Sequence, residues 1–473
     1  MSDLVEGRWR EIFGPRYLAA TVILCLGVSL FAFNAFLSTT ALPSAVKELN
    51  GVEVISWATT LYLVFAIMGG SAAAMAKARL GSRGSLLLFG GIFLVGTLVA
   101  ASGGSMTHVL IGRAVQGLGE GVVAALCFSL IPELFPNRLV PKVFGMQAVI
   151  WAVAAFGGPA AAGALTEFVS WRAAFLVNVP LIIIFAVMVL MVVPKRVATE
   201  DTSRFPGLRL LTIGGGILLV ALAAIAPAVQ AALLLFGAVV LLGGTVALDR
   251  RSDAPLLPTG AFGARTALGA GFWVVLLMPI AGATSGVYLV LLLQQLWGYG
   301  PTLAGAVGAV MAVAWSLSSV TVANVRRRET RKILIRTGPV LIGIGLLGVL
   351  AGLELGQPVL LLAAQVAIGA GFGISSGYLS LLLMEAAPEQ DRNRTTTLIP
   401  TTQSAGNAIG AALAGVAANG AGYAVASSNS EVLASIVPLF LTGFVAAALA
   451  ALAARHMLSL APAQTMAGSF ATE

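Results

Sequence analysis

Apolar stretches of about twenty residues recur along the whole of this 473-residue chain, and its charged residues gather in the short gaps between them. A helix of about twenty residues crosses the hydrocarbon core of a bilayer. On that measure spans fall near 17–43, 54–76, 85–104, 107–132, 141–165 and 173–194, then near 208–226 and 229–248. Six more fall near 266–296, 301–325, 333–354, 357–384, 395–418 and 434–454. The expected fold class is an all-α membrane protein of fourteen transmembrane helices, two six-helix bundles with a helix pair inserted between them. The expected divisions are residues 1–194, 195–265 and 266–473, with polar linkers at Pro194–Pro206 and Asp249–Arg265.

Composition agrees with lipid as the solvent. Only 10% of residues are charged, against roughly 25% in a soluble protein. The 55 glycines suit helices that approach closely through small side chains. A net charge of +8 does not mark a nucleic-acid surface, because the basic residues follow a topological bias. With the N-terminus inside, 24 of the 27 Lys and Arg residues fall on the cytoplasmic side, Lys47 and Arg172 fall outside, and Arg113 lies within a span. Both termini are therefore expected in the cytoplasm of a bacterium, with the chain in the inner membrane. The first apolar run is too long, and lacks the small-residue site, for a cleavable signal. Cys25 and Cys127 lie inside apolar runs, and His108 and His456 at span ends, so neither a disulfide framework nor a metal site is expected.

An internal repeat supports the count independently. A shift of 252 residues carries Gly117, Gly119 and Gly121 onto Gly369, Gly371 and Gly373, and Glu133, Pro136, Gly158 and Gly163 onto Glu385, Pro388, Gly410 and Gly415. A shift of eight spans is what two six-helix halves separated by an inserted pair produce. Parallel halves around a substrate site are a recurrent transporter architecture.

These residues resemble the major facilitator superfamily and, within it, the fourteen-helix drug:proton antiporter branch. Arg113-Ala-Val-Gln-Gly-Leu-Gly-Glu-Gly121 looks like the fourth-helix motif. Gly157-Gly-Pro-Ala-Ala-Ala-Gly163 looks like the fifth-helix antiporter motif. Trp171 to Pro180 resembles the entry to the sixth helix, and Trp57 to Tyr62 the start of the second. Two positions depart from the pattern. Asn34 stands where the first helix usually carries an Asp ahead of Ala41-Leu42-Pro43, and Ala78 replaces the Asp of a loop motif that keeps Arg79, Gly81 and Arg83. The resemblance implies alternating access driven by a proton gradient, with Gly157, Gly158, Pro159 and Gly163 as a hinge or seal. Simple close packing would use the same residues.

Glu120 is the one acid that falls deep inside a span. An ionisable group at such depth is expected to face the interior and to be functional. Burial disfavours its anion, so Glu120 can exchange a proton with each side in turn. The alternative is a structural carboxyl bonded to its surroundings. Arg113 precedes it by seven residues, two helical turns or about 10 Å along one face, and Gln116 lies between them. Arg113 can tune Glu120, attract an anion or satisfy carbonyls; the family pattern favours proton coupling. Candidate cavity residues are Asn34, Tyr62, Gln116, Gln147 and Trp151 in the first bundle. In the second they are Tyr288, Gln294, Gln295, Tyr378, Gln403 and Asn407. Arg79, Arg83 and the run Arg326–Lys332 are expected at helix ends and lipid headgroups.

No P-loop, catalytic triad or metal-ligand spacing is visible, so neither an enzyme nor a primary pump is expected. The leading expectation is a proton-coupled exporter of amphipathic small molecules. It would need no cofactor beyond the proton gradient, and its partners would be substrate, protons and membrane lipids. It would act as a monomer and bind no nucleic acid. An importer of an organic anion, and a lipid-handling or sensor protein of the same fold, are the alternatives. Reporter fusions at both ends and between residues 208 and 248 test the layout. Both termini are expected inside, and an external C-terminus or a wholly cytoplasmic 208–248 segment would refute it.

Overall fold

The computed structural model describes residues 9–136, 138–193, 207–252, 255, 257–323, 325 and 327–460, so the linker at 194–206 and Arg326 lie outside the described residues. The described chain is helical, without strands. In order, the helices are α1 (Trp9–Ile12), α2 (Leu18–Glu48), α3 (Ile55–Ser102), α4 (Met106–Leu134), α5 (Val140–Phe168), α6 (Trp171–Leu176), α7 (Asn178–Val192), α8 (Gly207–Ala223) and α9 (Ala228–Arg250). Then follow α10 (Ala267–Leu296), α11 (Pro301–Val322), α12 (Arg328–Glu354), α13 (Pro358–Ala386), α14 (Arg392–Gly420) and α15 (Asn429–Leu460). A helix occupies each stretch that the sequence marks as a span.

Among the described residues, eleven helical stretches are long and apolar enough to cross a membrane. One of them, Val52–Ser102, runs for 51 residues and contains two of the expected spans. They meet at Gly81, whose backbone lies at φ 69° and ψ 167°. That conformation carries a heavy steric penalty for any residue with a Cβ. The glycine of the loop motif is thus what lets α3 turn between its halves. Two expected spans are outside the eleven. One is α8, at 17 residues, and the other is α14, whose first turns hold Arg392, Arg394 and three consecutive threonines.

The chain divides into two compact units. One comprises Met1–Val52, Leu61–Gly207 and Tyr299–Ala306; the other comprises Glu53–Thr60, Leu208–Gly298 and Val307–Glu473. The core of the first gathers Leu24, Val28, Phe93, Val122, Leu126 and Phe185 from α2, α3, α4 and α7.

The inserted pair, α8 and α9, belongs to the second unit, and named polar contacts explain why. Trp57 donates its indole N–H to the Ala221 carbonyl (2.9 Å). The Asn419 amide donates to the carbonyls of Glu53 (2.7 Å) and Ala224 (3.1 Å). Ala221 and Ala224 lie at the end of α8, where carbonyls lose their intrahelical partners. Below these bonds Val220, Ala221, Ala238 and Ala412 form a small core with Trp57 against it. Beyond α9 the linker is held at intervals. Asp249 pairs with Arg209 and accepts from the Leu257 N–H at 2.8 Å, and Asp391 accepts from the Thr259 N–H at 2.9 Å. That backbone donor, with Arg394 adding to it, holds the Asp391 carboxyl below the ordinary aspartate range. A depressed carboxyl stabilises the fold at neutral pH and loses that contribution as pH falls through its folded value.

The internal repeat is visible as packing. A Cβ on Gly117 would collide with the Tyr62 carbonyl, and one on Gly121 with that of Ala66. In the second unit Gly369 stands in the same way against the Met311 carbonyl, and Gly373 against that of Trp315. Gly163 abuts Thr302 at the start of α11, while its counterpart Gly415 abuts Ser56 at the start of α3.

Removing the Asn419 side chain strands two carbonyls at once. Interhelical hydrogen bonds in membrane proteins contribute about 0.6 kcal/mol each, and up to about 2 in favourable cases. Asn419→Ala is therefore expected to cost about 1–2 kcal/mol and lower the melting temperature in detergent, followed by loss of the monodisperse species. An unchanged melting temperature would show that the inserted pair is held by packing alone.

Candidate functional site

Glu120 sits midway along α4 between glycines that let both halves of α3 come close. On one side Gly117 and Gly121 meet the backbone of residues 62–66; on the other Gly119 meets Phe89 and Phe93. This approach sets Tyr62 beside Glu120. The Tyr62 hydroxyl donates to Glu120 Oε2 at 3.1 Å, and the Asn34 amide of α2 donates to the same oxygen at 2.8 Å. Oε1 is buried and has no hydrogen-bond partner among the described residues.

Arg113 joins the cluster through the ring of Tyr62. Its guanidinium carbon lies 4.0 Å from the centre of the tyrosine ring, a cation–π contact. Gln116 accepts from Arg113 Nη1 at 3.0 Å and passes the chain on to the Thr97 hydroxyl at 2.9 Å, which donates to the Phe93 carbonyl. Asn34, Tyr62, Arg113, Gln116 and Glu120 are each no more than 2% exposed. One connected polar network thus runs from α2 through both halves of α3 to α4.

The distribution of donors matters chemically. A carboxylate has two equivalent oxygens and accepts on both, whereas a carboxylic acid has one accepting carbonyl oxygen and one hydroxyl. The two donors satisfy Oε2 in either form, and Oε1, without a partner among the described residues, is the oxygen left to carry a proton. Asn34, at the position of the expected Asp, supplies one of those donors. An Asp there would set two carboxyls against each other.

The remaining expected residues fall in several places. Trp151 packs edge-on against Phe31 at 5.5 Å and Phe36 at 6.4 Å, and Phe31 lies 6.4 Å from the Tyr62 ring. Gln147 is 3% exposed and neither of its amide atoms has a partner among the described residues. Gly158 gives room to Phe36, and a Cβ on Gly157 would meet nothing. The Pro159 carbonyl lies against Gly305. Arg79 is exposed and Arg83 half-buried. Between α3 and α4 lies a cleft of about 440 Å³ lined by Gly70, Lys77, Ala78, Gly81 and Ser129 among others, and by neither arginine; Lys77 is paired with Glu133.

In the second unit Tyr288 is buried and edge-on to Tyr423, whose hydroxyl donates to Gln295 at 2.9 Å. Tyr378 is committed to structure, since its hydroxyl donates to the Val322 and Val325 carbonyls. The Gln294 amide nitrogen is buried without a partner among the described residues, Gln403 is half-buried and Asn407 is exposed. Sequence reasoning missed Thr97 and Phe31, a hydroxyl and a ring in apolar runs that carry no signal of their own. Among the described residues no cluster of His, Cys, Asp and Glu could hold a metal ion.

Membrane-spanning helices in two internally repeated units, with a buried ionisable network in one of them, define a polytopic membrane transporter. Residues 24–411 match the model of the Major Facilitator Superfamily, and the chain belongs to that family. It is 31% identical over 447 residues to a "Probable multidrug-efflux transporter" of Mycobacterium tuberculosis, covering 91% of this chain and 94% of the relative. A "Multidrug efflux pump" of Staphylococcus aureus is 24% identical over 412 residues, covering 84% and 89%. Among solved structures, a peptide transporter in complex with sulfate superposes with a TM-score of 0.69 at 13% identity, covering 93% of this chain and 95% of that one. A bacterial homologue of the human lysosomal transporter Spinster superposes with a TM-score of 0.66 at 14% identity, covering 95% and 99%. At these identities the superpositions speak for the fold.

The role of Tyr62 can be divided by substitution. Tyr62→Phe keeps the ring under Arg113 and removes one of the two donors on Glu120. Loss of a hydrogen bond to a buried group costs about 1–1.5 kcal/mol, so transport is expected to fall roughly tenfold with expression maintained. Tyr62→Leu, which also removes the cation–π contact, is expected to fall further. Wild-type transport by Tyr62→Phe would separate Tyr62 from the site.

Proposed function

We propose that this transporter is a proton-coupled exporter of amphipathic small molecules in the bacterial inner membrane, with both termini cytoplasmic. The observation that carries the reading is the buried Glu120 carboxyl, with both donors on Oε2 and Oε1 open. Such a group is built to hold a proton in a place where an unpaired anion is costly. Alternating access would expose it to each side in turn. The proton gradient would then supply the energy without any cofactor. The efflux function in the names of the two relatives supports export over import.

Arg113 sits in the same network as a permanent positive charge. Its potential in a low-dielectric interior opposes a cationic substrate and favours an anionic one. With Asn34 in place of an acid and Ala78 in place of the loop Asp, Glu120 is the carboxylate a cation would have to share with the proton. Neutral or weakly anionic amphiphiles are the expected substrates. Working as a monomer, the protein would have substrate, protons and surrounding lipid as its partners.

Glu120→Gln keeps the shape and the bonds from Asn34 and Tyr62 but cannot titrate. In everted vesicles it is expected to fold, to express and to lose substrate-dependent proton movement and uphill accumulation. Accumulation at the wild-type level against a gradient would sink the role. A binding panel tests the charge preference: tight binding of a quaternary ammonium, with no preference for neutral or acidic compounds, would show it to be wrong.

A further inference from the structure

The repeat that aligns Gly117 with Gly369 and Gly121 with Gly373 also aligns Glu120 with Phe372 and Arg113 with Gln365. The second unit thus repeats the backbone of the proton site and replaces its chemistry. Gly369 and Gly373 bring α13 against the carbonyls of Met311 and Trp315, as Gly117 and Gly121 bring α4 against those of Tyr62 and Ala66. Gln365 is neutral and accepts from Ser285 at 3.2 Å. Phe372 turns its ring edge to Gly282, where a Cβ would lie 2.9 Å from it, and stacks on Trp315 with centroids 5.2 Å apart and planes 25° apart.

Phe372 is 7% exposed and Trp315 39% exposed. Phe372 therefore backs the indole on one face, and over a third of the Trp315 surface stays accessible. Trp315 lies well inside α11, fourteen residues from its start and seven from its end, and no bond from its Nε1–H is found among the described residues. A free N–H at that depth is costly against lipid tails and favourable against a ligand acceptor. By internal symmetry Phe372 occupies the position of Glu120, and Trp315, whose carbonyl meets Gly373, that of Ala66.

From this arrangement we propose that Trp315, backed by Phe372, is a substrate subsite on the second unit that takes a planar aromatic ring system bearing a hydrogen-bond acceptor at its edge. The ring stacks on the open indole face and the acceptor meets Nε1–H. This deepens the exporter reading by dividing labour between the repeats: the first unit holds the proton and the second holds the flat part of the substrate. Stacking on an aromatic side chain is sequence-tolerant in nucleic-acid binding because every base has a π-face. The same physics admits many flat compounds here.

The test is binding of 7-hydroxycoumarin, planar with a lactone carbonyl at its edge, to the purified full-length protein in detergent by fluorescence anisotropy. Wild type is expected to bind saturably, with 1-adamantanecarboxylate, an anionic cage without a π-face, a poor competitor. Trp315→Ala is expected to weaken binding tenfold or more. Trp315→Phe, which keeps a ring and loses the N–H, should fall between. Phe372→Leu fills the space beside Gly282 but removes the backing ring, and is expected to weaken binding severalfold. Binding is read in detergent with no gradient and no transport, so a failure of proton coupling leaves this result standing. Absence of saturable binding by wild type, or unchanged affinity in a monodisperse Trp315→Ala, would overturn the subsite.

Discussion

A carboxyl buried in the middle of a membrane helix must either be neutral or be surrounded by compensating groups, and the organisation of the first unit follows from how Glu120 meets that requirement. Its two donors come from α2 and α3, so three helices must approach within hydrogen-bonding distance of one atom. Leu or Val at positions 117, 119 or 121 would hold them apart. The glycines that flank Glu120 are thus as much part of the site as Asn34 and Tyr62. Arg113 adds a charge that cannot be shed, and its position over the Tyr62 ring and beside Gln116 spares it the cost of being buried without partners.

The two units use one backbone scaffold for two chemistries. The glycine-to-carbonyl contacts of α4 on α3 recur between α13 and α11, yet the acid of the first becomes a phenyl ring in the second. Ionisable machinery in a single unit limits the number of charges held in the membrane. The second unit is then free to present apolar and aromatic surface. The inserted helices belong with this second unit, where Trp57 and Asn419 tie the end of α8 to the residues that open α3.

Much of this was legible in the sequence because lipid imposes simple rules. Helix positions followed from apolar length, and the repeat followed from Gly, Glu and Pro at a constant offset. Glu120 and Arg113 stood out because charge within a span is rare. The role of Tyr62 was not legible: a tyrosine in a span reads as cavity lining, and only the contact of Gly117 with its carbonyl shows why it reaches Glu120. Asn34 was noted as a departure from a family pattern, yet its bond to an acid 86 residues away has no local signature. Tyr378 ties α13 to the end of α11 through backbone carbonyls that nothing in the sequence marks.

Export as proposed turns on one exchangeable proton that resides on Glu120 and is coupled to substrate. Proton release from the purified protein on saturation with substrate, followed in weakly buffered detergent solution, addresses it most directly. Close to one proton is expected to be released per molecule bound at a pH where the acid form prevails, and none from Glu120→Gln at equal occupancy. Release of a full proton by the Glu120→Gln protein would contradict it.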